Sequence, residues 1–149
     1  MKAIRNLFRV KMPRTVESTA FEIVAAVLLV AMWMMAAVLM AHGGDGDVRN
    51  NILMLAAITT AVSAFSLFRA YYPEMLGRDA KFLPKQKTAL QCRLLCRMAR
   101  VLAVEVPPMA MLSILAMAGH DWAYIPSVCC VFLLVVTGMY YSFMLRRAA

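Results

Sequence analysis

The sequence predicts an all-α integral membrane protein: four transmembrane helices in an up-down-up-down bundle, with both termini cytoplasmic. Three observations carry that prediction. Of the 149 residues, 63% are hydrophobic, and mean hydropathy is +0.71; a soluble domain holds about 45–50% apolar residues. Charged residues make up only 16% and gather in blocks between four apolar runs. Each run holds the ~20 residues that a helix needs to cross a bilayer core of about 30 Å. Finally, nearly all Lys and Arg fall at the amino terminus, in a central connection and at the carboxyl terminus, while the two short turns on the other side contain only Arg49. Lys- and Arg-rich short loops stay in the cytoplasm. The chain therefore reads as one domain, residues 1–149, passing several times through the inner (cytoplasmic) membrane.

Residues 1–15 place Lys2, Arg5, Arg9, Lys11 and Arg14 among Ile4, Leu7, Phe8, Val10 and Met12. Two readings stand: an amphipathic segment on the membrane surface, drawn to anionic lipid, or a basic tail that only sets topology. A secretory signal is not expected, because the apolar run that follows is long and lacks a small-residue cleavage site.

The first span is expected at 21–41. Glu17 and Glu22 lie at its basic end, placed well for a helix N-terminus; pairing with Arg14 or another helix is the alternative. Trp33 stands deep in the span, a place for packing between helices rather than anchoring at an interface. His42-Gly43-Gly44-Asp45-Gly46-Asp47 turns the chain. The second span, 51–72, offers a small-residue face of Ala56, Thr60 and Ala64, with Ala57 and Ala61 beside them. Arg69 sits in its last turn, Tyr71-Tyr72 mark the interface, and Pro73 stops it. A cytoplasmic connection, 73–97, follows.

The third span, 98–118, organises the rest. Its helix begins in the connection, and one seam holds Ala89, Cys92, Cys96, Ala99, Ala103, Val106, Ala110 and Ser113. Steps of three and four put these on one stripe. In water small side chains make a poor core; in lipid they let two backbones approach closely. Arg93, Arg97 and Arg100 lie beside the seam, at the depth of lipid headgroups, with an acidic partner as the other reading. A kink is expected where Val104-Glu105-Val106 meets Pro107 and Pro108. After the turn His120-Asp121-Trp122, the fourth span, 125–145, opens with Pro126 and offers Gly138 and Ser142 for close approach. Trp122 and Tyr124 anchor its start, and Tyr140-Tyr141 and Arg146-Arg147 mark its exit.

Glu105 is the costliest residue in the sequence, since a charge near mid-membrane costs about 2.5–3.5 kcal/mol on insertion scales. Pro107 and Pro108 lack the N–H groups that would bond the carbonyls of Ala103 and Val104. Glu105 projects away from the small seam and must meet another helix, a second subunit or lipid; Arg69 and Arg100 are the expected partners. A structural ion pair or hydrogen bond is one role. The other is a site that holds a proton, a sodium ion or a substrate amine, as broken transporter helices do.

His42, Asp45, Asp47, His120 and Asp121 share the non-cytoplasmic side, where two His and nearby carboxylates form a candidate zinc set. The competing reading is ordinary turn chemistry, and neither His has the paired spacing of a metal motif. Cys92, Cys96, Cys129 and Cys130 read as small packing residues in reduced form. A net charge of +8 invites a nucleic-acid reading, but position overrides the total, because the basic residues flank the spans. No phosphate-binding glycine loop and no nucleophile–base set occurs. No enzyme activity, cofactor or nucleic-acid partner is expected; the expected partners are membrane lipid and a second copy or another membrane protein.

His42 followed by Gly46-Asp47, Asn51-Ile52-Leu53 opening the second span, Tyr72-Pro73 closing it, and Gln91, Arg97 and Arg100 entering the third form an ordered set. In that order the chain resembles small bacterial four-helix membrane proteins related to the SdpI-type immunity family, which carry a domain of unknown function. It departs from them at Met40-Ala41-His42, where relatives carry a proline shortly before the histidine and a longer turn. The resemblance implies a four-helix inner-membrane protein serving toxin immunity or signal sensing. The function expected is thus a non-enzymatic immunity, sensory or accessory subunit acting through helix contacts. The alternative is a small dimeric transporter with Glu105 as its coupling carboxylate.

Overall fold

A computed structural model describes residues 13–42, 45–72 and 89–148. Most of the basic segment 1–15, Gly43-Gly44 and the connection from 73 to 88 lie outside the described residues. The chain forms α1 (Val16–Ala41), α2 (Gly46–Arg69), α3 (Ala89–Met117), a single 3-10 turn (Asp121–Ala123) and α4 (Tyr124–Arg147), with no strand among the described residues. All four helices are long and apolar enough to cross a membrane.

Local chemistry sets their ends. Thr15 caps α1: its Oγ1 accepts from the Ser18 backbone N–H at 3.1 Å, while Ser18 Oγ accepts from the Thr15 N–H at 2.9 Å. This reciprocal cap starts the helix five residues ahead of the apolar run. α2 likewise begins at Gly46 rather than Asn51, because Asp47, Arg49 and Asn50 extend it into the polar turn without breaking helical geometry. α3 closes on Gly119, whose φ of 91° is the left-handed conformation that favours glycine. The His120 N–H then reaches the Leu115 carbonyl at 3.1 Å and the Gly119 N–H reaches Ala116 at 3.1 Å, the paired bonds of a Schellman end.

α3 stays helical through Pro107 and Pro108, so no non-helical segment interrupts it there. Proline's fixed φ is itself helical; the costs are the two bonds its missing N–H groups would make and the clash of each ring with the carbonyl four residues back. Packing on three sides outweighs those costs, and Pro107 is buried.

α3 stands at the centre. It packs against α1, α2 and α4, while α1 and α2 touch each other less than either touches α3. α4 leans on α3 and the preceding turn. Successive helices run antiparallel, as the pairs Trp33–Thr60 and Glu22–Tyr71 require for α1 and α2, and Glu105–Thr137 and Ser113–Ser127 for α3 and α4. Met32 and Ala36 of α1, Ile52 and Ala56 of α2, and Ala110 and Ile114 of α3 form one buried cluster. Trp33 packs against that cluster, and its indole N–H donates to Thr60 Oγ1 at 2.9 Å, so it does sit between helices.

The small seam of α3 holds from Cys96 to Ala103, with Cys96, Ala99 and Ala103 buried; ahead of it Ala89 is exposed and Cys92 half-buried, and beyond it the buried line passes through Pro107 instead of Val106 before reaching Ala110 and Ile114. A straight helix drifts about 20° per heptad against a strict 3.5-residue repeat, which moves the line over by a residue. In α2 the buried line is Ile52, Ala56, Thr59 and Ser63. Thr60 is half-buried, and Ala57, Ala61 and Ala64 face outward. The outer faces are strongly apolar, with Ile125 75% and Phe132 70% exposed. A water-soluble monomer rarely presents such continuous apolar surface, whereas lipid covers it at no cost.

Candidate intramembrane polar site

Two polar groupings lie inside this apolar frame. The first is the α3–α4 interface. Glu105 occurs midway along α3, on the side that α4 covers. Thr137 Oγ1 donates to Glu105 Oε1 at 2.7 Å, and Glu105 Oε2 is buried with no hydrogen-bond partner. Eight residues on, about 12 Å along the helix, Ser113 Oγ meets Ser127 Oγ at 3.0 Å and donates to the Met109 carbonyl at 2.9 Å. Since the single Ser113 proton goes to Met109, Ser127 is the donor in the serine pair. Two polar rungs therefore join α3 and α4.

Arg69 and Arg100, the expected partners of Glu105, are not what its carboxyl meets. The Arg69 guanidinium carbon lies 5.4 Å from the centroid of the Phe65 ring, one turn back on its own helix. Arg100 faces α2, with its guanidinium carbon 5.6 Å from the centroid of the Tyr71 ring. Thr137 was invisible to sequence reasoning because a lone hydroxyl in an apolar run is unremarkable until the covering helix is known. The available signal was spacing, eight residues between Glu105 and Ser113 set against ten between Thr137 and Ser127, as antiparallel neighbours allow.

The second grouping lies at the arginine-rich end. The Tyr71 hydroxyl donates to Glu22 Oε1, and Glu22 Oε2 pairs with Arg14 at 3.7 Å. Arg97 Nε lies 2.9 Å from Glu17 Oε1. Glu17 and Glu22 thus serve as ion-pair partners, one of them across to α3. Arg100 is 8% exposed and its Nε is buried without a hydrogen-bond partner. Among the described residues nothing hydrogen-bonds or ion-pairs with it. A buried donor left unbonded costs about 1–3 kcal/mol, more when charged. The arginine stripe therefore divides: Arg93 and Arg97 are exposed and Arg100 is buried. Arg93 shares a face with Arg100, seven residues nearer the start of α3, and is exposed.

At the opposite end His42, Asp45, Asp47, His120 and Asp121 are all exposed. His42 Nδ1 lies 2.8 Å from the Val38 carbonyl, which can only accept, so this nitrogen carries the proton. The His120 ring lies 6.4 Å from the Trp122 ring. Among the described residues no three His, Cys, Asp or Glu side chains gather as a metal would require. None of the four cysteines is in a disulfide; Cys96 is buried and Cys129 exposed.

The site thus consists of a half-satisfied carboxyl at the α3–α4 seam and a buried guanidinium at the α2–α3 seam. Comparison with known proteins gives no matching family model, no matching curated protein and no matching solved structure.

Proposed function

We propose that this chain is a non-enzymatic, multi-pass protein of the inner membrane, both termini cytoplasmic, that works through contacts of its helices as an immunity, sensory or accessory subunit. The observation that supports this most is the placement of α3: small residues bring three helices against it, and the outer faces of α1, α2 and α4 stay apolar and open. Such an arrangement holds a fold together through one helix and leaves the others available to neighbours in the bilayer. The resemblance of the residue order to the SdpI-type family, as read from the sequence, agrees with this reading.

A second reading has its own observation. Glu105 Oε2 is buried and unbonded beside the Thr137 hydroxyl, the disposition expected of a carboxylate that binds a travelling cation or proton. The unbroken backbone at Pro107-Pro108 counts against a broken-helix ion site. Reconstituted liposomes separate the two. On the subunit reading, neither the protein nor Glu105→Gln carries any ion or amine under an imposed gradient, and the variant changes only stability. Flux abolished by Glu105→Gln would overturn that reading in favour of the transporter.

A further inference from the structure

We infer that Arg100 is the centre of an anion site that takes a phosphate group, supplied by an acidic lipid of the cytoplasmic leaflet. The inference rests on the chain crossing the membrane as proposed above.

Arg100 is more than nine-tenths buried, yet no carboxylate or carbonyl among the described residues receives its N–H groups. The guanidinium carbon lies over the Tyr71 ring, 5.6 Å from its centroid. A ring face satisfies the cation's charge in part but accepts none of its five in-plane donors. An edge of that shape matches two oxygens of a phosphate or carboxylate.

The nearby acids among the described residues are committed elsewhere. Glu22 is held by the Tyr71 hydroxyl and Arg14, and Glu17 is held by Arg97. The same end carries Arg14, Arg69, Arg93, Arg97, Arg146 and Arg147 as well, against only those two glutamates among the described residues. The field there favours an incoming anion, and among the described residues none is left over to fill it.

Depth identifies the ligand's class. Arg100 lies 17 residues from the end of α3 at Met117, about 26 Å along the axis. With a hydrocarbon core of about 30 Å, this puts its Cα just inside the boundary. Side chains lean toward the helix N-terminus, so the guanidinium reaches the level of the lipid phosphates. Cytoplasmic leaflets hold anionic lipid at high density there.

The test uses the full chain in nanodiscs of phosphatidylcholine alone or with phosphatidylglycerol, read by thermal unfolding and by native mass spectrometry of co-purified lipid. A further arm adds inorganic phosphate to delipidated protein in detergent. Wild type should retain phosphatidylglycerol in preference to phosphatidylcholine. Arg100→Gln should lose that retention roughly tenfold or more, and the exposed control Arg93→Gln should not. Arg100→Lys keeps the charge and loses the fork; it should fold and fall between the two, which decides the matter if the glutamine variant fails to fold. Stabilisation by free phosphate equal to that by lipid would assign a soluble ligand and overturn the lipid source. Equal lipid retention by wild type, Arg100→Lys and Arg93→Gln would overturn the site. Protein that stays dissolved without detergent would instead overturn the membrane reading beneath it.

Discussion

Thr137→Val removes one hydroxyl while keeping the volume and branching of the side chain, so it isolates a single bond between α3 and α4. That bond spans 2.7 Å between Thr137 Oγ1 and Glu105 Oε1. Hydrogen bonds to charged groups in water-soluble proteins contribute about 1.5–3 kcal/mol. Polar bonds between membrane helices contribute less, averaging ~0.6 and reaching ~1.7 kcal/mol, because the unfolded helices also find partners in lipid. Glu105 Oε2 already has none, so the valine leaves the whole carboxyl unbonded. The loss therefore belongs near the upper membrane value, about 1.5 kcal/mol, or roughly tenfold in the folded-to-unfolded ratio. Reversible unfolding in mixed micelles, followed by fluorescence of Trp33 and Trp122, measures it. Glu105→Met completes a double-mutant cycle. Removing both polar partners is nearly neutral where removing one is not, so the double variant should regain most of what Thr137→Val loses. A coupling below about 0.3 kcal/mol, within the scatter of additive sites, would refute the bond as a contributor to the α3–α4 contact.

Three further outcomes follow from the packing. Ala110→Leu, at a fully buried position of the three-helix cluster, should destabilise by about 1–3 kcal/mol through overpacking, whereas Ala57→Leu on the exposed face of α2 should change the same unfolding midpoint little. Trp33→Phe and Thr60→Ala each remove the indole-to-hydroxyl bond; each should cost about 0.6–1 kcal/mol, and the double variant should cost clearly less than their sum. Tags fused at residue 1 and at residue 149 should both report the cytoplasmic side, as should one in the 73–88 connection, while a tag between α3 and α4 should report the opposite side; termini on different faces would contradict the proposed topology.

The four helices were legible because hydrophobic runs of membrane length have few other uses. Their ends were less so. The Thr15–Ser18 cap lies outside the apolar run, and Asp47 and Arg49 of α2 look like turn residues until the backbone is seen to be helical. The small seam of α3 was readable from Cys96 to Ala103, where neighbouring helices cover it and before drift displaces it. The choice of partners was not readable. Glu105 meets Thr137, and Arg100 is enclosed against Tyr71 while Arg93, a near neighbour on the helical wheel, stays exposed. Those outcomes depend on which helix covers which face and how far along it reaches. One sequence records faces and lengths, but the pairing between helices arises only on packing. That α3 stays helical through Pro107-Pro108 depends on the same packing, because three neighbouring helices hold it where the local rule for proline favours an end.

The dependence of every other helix on α3 has a consequence for biosynthesis. When the first two spans have left the ribosome they share little surface, and most of what will hold them has yet to be translated. They wait side by side as a loose pair, and the tight cluster of Met32, Ile52 and Ala110 closes only when the third span arrives. A nascent chain arrested before residue 89 should accordingly be cleared by membrane proteases, while one arrested after Met117 should already be compact, lacking only the final helix at its flank.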